Sequence, residues 1–238
     1  QIPGTTWRSV NWGGNGQQNF ATKTDGTFWA WGYNYFGELG LNDTTYRSSP
    51  TQVGTDTTWS KNHSVGGYRS ALATKTNGTL WVWGDNNFGA FGKPGTNPNS
   101  KISSPVQIPG TSWDHSNWGK LAARQMGGGA IRTDNTLWVW GYNNNSCLGL
   151  NTPDNGHRSS PTQLPGTDWN RIASWQYNYS AIKTDGTLWT WGKNSGGQLG
   201  DNSRTQRSSP IQIPGTTWSQ SQIGNSFQAA VKTDGTLW

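Results

Sequence analysis

Aromatic residues two apart recur along this chain. Trp29 and Trp31, Trp81 and Trp83, Trp138 and Trp140, and Trp189 and Trp191 are each separated by one residue. Side chains two apart on a strand share a face, so each pair predicts a β-strand, and the four strands together predict a core of stacked sheets with these eight tryptophans as its structural repeat. A turn signal precedes each pair: Asp25-Gly26, Asn77-Gly78, Asp134-Asn135 and Asp185-Gly186, with Asp234-Gly235 before Trp238. These residue types tolerate positive φ and predict tight type I′ hairpins. A Gly- and Asn-rich stretch follows each pair. A Ser-Ser-Pro ending at Pro50, Pro105, Pro161 or Pro210 then opens another short strand, with proline suited to a sheet edge.

The pattern is a tandem repeat. KTDGTFW at 23–29, KTNGTLW at 75–81, RTDNTLW at 132–138, KTDGTLW at 183–189 and KTDGTLW at 232–238 place their final tryptophans 49–57 residues apart. That period suits one four-stranded antiparallel blade per repeat. The predicted fold class is all-β, a single β-propeller domain over 1–238 holding about 4.5 repeats that end near 29, 81, 138, 189 and 238. The hairpin half occurs five times and the WGxN-to-SSP half four times. A fragment or incomplete ring is therefore expected, closed by residues beyond the given ends or by self-association through an unpaired blade edge.

WGYNYFGELG at 31–40, WGDNNFGAFG at 83–92, WGYNNNSCLG at 140–149 and WGKNSGGQLG at 191–200, each after such a hairpin, resemble the regulator of chromosome condensation repeat family. The likeness runs over essentially the whole chain and is closest to the Trp-, Thr- and Asn-rich versions of bacteria and phages. It implies a propeller, usually of seven blades, and no single function. The chain departs from the family in lacking the Gly-x-x-His signature that usually opens the strand before the hairpin.

Composition removes several functions. The net charge is +6, yet the cations recur singly in the hairpin slot and before Ser-Ser-Pro, with no basic run, so nucleic acid is not an expected partner. Cys147 is the sole cysteine, which excludes an internal disulfide and a Cys-based metal site. His63, His115 and His157 fall at different offsets within their repeats, and no metal or other cofactor is expected. Glu38 is the only glutamate, and four of the aspartates sit in hairpin turns, which leaves little for paired-carboxylate catalysis. No apolar stretch of membrane-spanning length occurs. The expected protein is not an enzyme.

Repeat proteins carry specificity where copies differ. Between the GTxW tryptophan and the hairpin cation the copies vary from 14 to 19 residues. This stretch holds the candidate binding residues Trp12, Tyr68, Arg69, Arg124, Gln125, Trp175, Tyr177, Tyr179, Phe227 and Gln228. Trp, Tyr and Arg there can fill space between blades, form a protein-binding hot spot, or stack on sugar rings, so a protein or a glycan is the expected partner. The leading expectation is a non-catalytic recognition or structural module, extracellular or on a virion, of tail-fibre or adhesion type. Alternatives are an intracellular scaffold or small-GTPase exchange factor in the cytoplasm, and a lectin.

Overall fold

Four antiparallel sheets of four strands follow one another along the chain. The first is β1 (Trp7–Trp12), β2 (Gln18–Lys23), β3 (Phe28–Gly32) and β4 (Arg47–Gln52), and the second is β5 (Trp59–Gly66), β6 (Ser70–Lys75), β7 (Leu80–Asp85) and β8 (Lys101–Ile108). The third holds β9 (Leu121–Arg124), β10 (Gly127–Ile131), β11 (Leu137–Gly141) and β12 (Arg158–Gln163), and the fourth β13 (Trp169–Trp175), β14 (Asn178–Lys183), β15 (Leu188–Gly192) and β16 (Arg207–Ile213). β17 (Trp218–Ile223) and β18 (Gln228–Lys232) pair as a fifth, two-stranded sheet. Trp238 exchanges two backbone hydrogen bonds with Ala230, which pairs the last residues with β18. The computed structural model describes residues 2, 4–13, 17–93, 95, 97, 100–117, 119–124, 126–152, 154, 156–224 and 227–238.

Each sheet is a blade, and the apolar core lies between successive blades. Phe20, Phe28 and Leu39 of the first blade meet Trp59, Ala71 and Trp83 of the second. Leu80 and Phe91 meet Trp113 and Trp140 in the same way, and Leu137 and Leu148 meet Trp169 and Trp191. First strands of successive blades adjoin one another, which places them innermost. The fourth strand is the outer edge of each sheet, where Pro50, Pro105, Pro161 and Pro210 withhold no ladder hydrogen bond from a neighbour.

The tryptophan pairs divide their labour. Trp83, Trp140 and Trp191 are wholly buried against the preceding blade, whereas Trp29, Trp31, Trp81, Trp138 and Trp189 are only half-buried. The indole N–H of Trp83 donates to the carbonyl of Glu38 at 2.6 Å, and that of Trp140 to the carbonyl of Ala90 at 3.0 Å. A glycine seats each buried ring. At Gly92 (φ +59°) and Gly149 (φ +73°) an added Cβ would lie 2.7 Å and 2.6 Å from the rings of Trp140 and Trp191. Leu39-Gly40, Phe91-Gly92 and Leu148-Gly149, which end the first three of these segments, are therefore the contact surfaces for the next blade.

The hairpins differ from the expected type I′ form. Gly26 N–H donates to Lys23 O and Lys23 N–H to Thr27 O, with φ +82° at Gly26 and no positive φ at Asp25. This is a type I turn followed by a left-handed residue. Asp25 selects it, because its Oδ1 accepts from both the backbone N–H and the hydroxyl of Thr27, at 2.9 and 2.7 Å.

Candidate functional site

An antiparallel meander sends alternate loops to opposite ends of the blade. The hairpins and the PGTxW connections share one face, which we term the hairpin face. The loops after the first strand and the WGxN segments share the other, the loop face.

The hairpin face repeats one construction in every blade. The Thr27 hydroxyl accepts from Trp29 Nε1 at 2.8 Å, and Lys23 Nζ lies over both Trp7 and Trp29, at 4.8 and 3.9 Å from the ring centroids. Lys75 stands between Trp59 and Trp81, Arg132 between Trp113 and Trp138, Lys183 between Trp169 and Trp189, and Lys232 between Trp218 and Trp238. The recurring cations are thus engaged with indole rings. A groove of about 680 Å³ beside Lys183 and Trp189 has a counterpart of about 330 Å³ beside Lys75 and Trp81. Equivalent residues line both, so the grooves follow from blade packing.

The loop face is different in every blade. In the first WGxN segment an invariant job is done by Asn34, whose Oδ1 accepts from Leu39 N–H at 2.9 Å while its Nδ2 donates to Thr45 O at 3.1 Å. Asn86, Asn143 and Asn194 likewise accept from Phe91, Leu148 and Leu199. With the loop held from inside, the residues between are free to vary. Tyr33, Tyr35, Phe36 and Tyr46 cluster in the first blade, and Arg69 and Lys101 of the second blade lie 4.3 and 4.6 Å from the Phe36 ring. A second cluster joins Phe88 to Tyr142 at 4.6 Å and Tyr142 to His157 at 4.8 Å, with Tyr177 and Lys193 beyond.

Of the residues expected to bind, Tyr68 and Arg69 are half-buried in the turn between β5 and β6, where Arg69 faces Asp85 at 3.6 Å. Tyr177 is half-buried at 6.4 Å from Tyr142. Trp175 is half-buried at the end of β13, and Phe227 is exposed beside Gln228, which is half-buried. Gln125 and the side chain of Trp12 lie outside the described residues.

Arg124 and Tyr179 are corrections: both are buried. Arg124 Nε donates to Tyr179 Oη at 3.0 Å, Nη1 to Gln176 O at 3.2 Å, and Nη2 to Tyr142 O, with Cys147 Sγ 3.0 Å from Nη1. Burial pushes the Tyr179 phenol up to about 12 and raises the Cys147 thiol. The guanidinium ties the third blade to the fourth, as a buried charge must find partners. The clustered loop-face residues that the sequence argument did not single out are Tyr33, Tyr35, Phe36, Tyr46, Phe88, Lys101, Tyr142, His157 and Lys193. Several occupy the x slots of WGxNxxG, which read Tyr33, Asp85, Tyr142 and Lys193 in the first of them, and that variation was the available signal.

Among the described residues no three His, Cys, Asp or Glu side chains gather as a metal site, and no helix is long and apolar enough to cross a membrane.

The model of the "Regulator of chromosome condensation (RCC1) repeat" matches residues 25–72, 134–175 and 185–231. Curated relatives include the RCC1 domain-containing protein RUG3, mitochondrial, of Arabidopsis thaliana, 28% identical over 74% of this chain and 40% of its own length. The Ultraviolet-B receptor UVR8 of the same plant is 27% identical over 72% of this chain and 38% of its own length. The chain thus spans about two fifths of these relatives. Among solved structures, human WBSCR16 superposes with a TM-score of 0.81 at 20% identity, covering 98% of this chain and 59% of that one. The crystal structure of Kap60 bound to yeast RCC1 (Prp20) matches at 0.79 and 18%, covering 97% and 56%.

Proposed function

Because the chain belongs to the regulator of chromosome condensation repeat family, we propose that it acts as a non-catalytic protein-interaction scaffold that recognises partners through its loop face. The observation that carries this reading is the contrast between the faces. The hairpin face spends one recurring set, a Lys or Arg, two Trp, a Thr and an Asp or Asn, on folding in each blade, whereas the loop face displays a different aromatic and cationic set in each. Exposed Tyr, Phe and Arg or Lys are the residue types from which protein hot spots are made.

The structural relatives include a protein bound to Kap60, and one whose binding properties to Gsp1p and histones are described. Such company favours an intracellular scaffold. The virion or extracellular setting expected from composition gains no support from relatives that include a mitochondrial protein and an E3 ubiquitin-protein ligase. A glycan site would need unengaged indole faces, and the hairpin-face indoles already carry cations.

The test is partner capture by the wild-type chain and two groups of variants in cells that express it. Loop-face changes Tyr35→Ser and Tyr142→Ser should remove the captured proteins, and the hairpin-face change Thr24→Glu should not. Loss with the hairpin-face change alone would overturn the assignment of the face.

A further inference from the structure

At the junction of the first two blades, aromatic rings and cations reach solvent together. Tyr35 and Tyr46 are 54% and 55% exposed. Lys101 Nζ is 4.1 Å from the Tyr35 ring and 4.6 Å from Phe36, whose ring also meets Arg69 at 4.3 Å. We propose that this patch, built from Tyr35, Phe36, Tyr46, Arg69 and Lys101, docks an acidic segment of a partner protein, a proposal that rests on the loop-face reading above.

The charges decide the partner. Both carboxylates beneath the patch are withdrawn from water: Glu38 is 1% exposed and Asp85 6%. Asp85 is occupied by Asn87 Nδ2 at 2.8 Å and faces Arg69. Asp43, on the same loop, is held by Arg47 at 2.5 Å. Lys101 is exposed and forms no salt bridge among the described residues. The patch therefore offers solvent positive charge and aromatic surface, the complement of carboxylates interspersed with apolar side chains. A second copy of the chain is disfavoured by mutual repulsion at net charge +6. A nucleic acid would need a track of free cations. Five of the cations are instead clasped by tryptophans on the opposite face, and Arg47 and Arg207 are paired with Asp43 and Asp201.

The experiment is selection of a random dodecapeptide display library on the wild-type chain. The selected peptides are then synthesised and titrated by fluorescence anisotropy against wild type, Lys101→Glu, Tyr35→Ser and Lys193→Glu, each checked for the native circular dichroism spectrum. Selected peptides rich in Asp and Glu with apolar neighbours are expected. Their affinity should fall about tenfold or more with Lys101→Glu and Tyr35→Ser, weaken with added salt, and survive Lys193→Glu. Neutral or basic peptides, or peptides indifferent to Lys101→Glu, overturn the docking proposal. If those peptides are lost instead with Lys193→Glu, the loop-face reading stands without it. If neither cluster matters, both fail. Labelled oligothymidine binding the patch more tightly than any selected peptide also overturns it, in favour of nucleic acid.

Discussion

Replacing Glu38 by Gln should abolish a pH dependence of stability that this one side chain creates. Glu38 is buried, its Oε2 accepts from Phe36 N–H at 2.7 Å, and its Oε1 has no hydrogen-bond partner among the described residues. The fourth blade performs the same bond with a neutral group, since Gln198 Oε1 accepts from Gly196 N–H at 2.8 Å. Burial is the main cause that raises the Glu38 carboxyl from 4.5 to about 7, with Asp85 adding to it and the Phe36 N–H and Lys101 opposing. The unfolded chain loses this proton near 4.5 and the folded chain holds it to about 7, so folding takes up a proton in that window. Stability is accordingly full below about pH 4.5, declines as pH rises to 7, and levels off above. At about 1.4 kcal/mol per pKa unit, the loss is about 3 kcal/mol, or roughly 6–12 °C in Tm for a chain of this size. The assay is thermal or urea unfolding of wild type and Glu38→Gln from pH 4 to pH 8. The curves should coincide at the acid end, with the variant the more stable at the alkaline end. Parallel curves across the range would refute the argument that the carboxyl is buried in the proton-bearing form.

Further outcomes follow from the packing. Trp191→Ala, which empties a fully buried site, should cost about 3–5 kcal/mol in urea unfolding, and Trp29→Ala, half-buried under Lys23, clearly less. Equal costs would contradict the division of the tryptophan pairs. Gly92→Ala should lose about 1–3 kcal/mol, because φ is +59° and the new Cβ would press on the Trp140 ring; an unchanged urea midpoint would mean the junction can open there. Arg124→Met should destabilise by about 3–5 kcal/mol through the carbonyls of Tyr142 and Gln176 and the Tyr179 hydroxyl left behind, while partner capture by the folded fraction is retained. Loss of capture without loss of stability would return Arg124 to the binding surface.

The blades were legible because their signals are local and repeated: a turn pair, two tryptophans one residue apart, and a proline on the outer strand. The turn type was not, since Asp-Gly serves both forms and the choice lies in the Asp25 bonds to Thr27. For the candidate site, the rule that specificity sits where copies differ singled out Tyr68, Arg69 and Tyr177, which lie partly buried on the loop face. It misplaced Arg124 and Tyr179, whose partnership spans 55 residues and two blades and leaves no trace in local pattern. Applied to the WGxN slots, the same rule would have reached Tyr35 and Tyr142.

Where one blade grips the next, the indoles of Trp83 and Trp140 bond to the peptide carbonyls of Glu38 and Ala90. A bond to a main-chain oxygen is indifferent to the residue that carries it. An acid and a methyl group occupy these two equivalent positions without altering the joint. Mutations can therefore accumulate beside the seams of the propeller while its assembly is preserved, which lets a single scaffold acquire new surfaces in steps that each leave a folded protein.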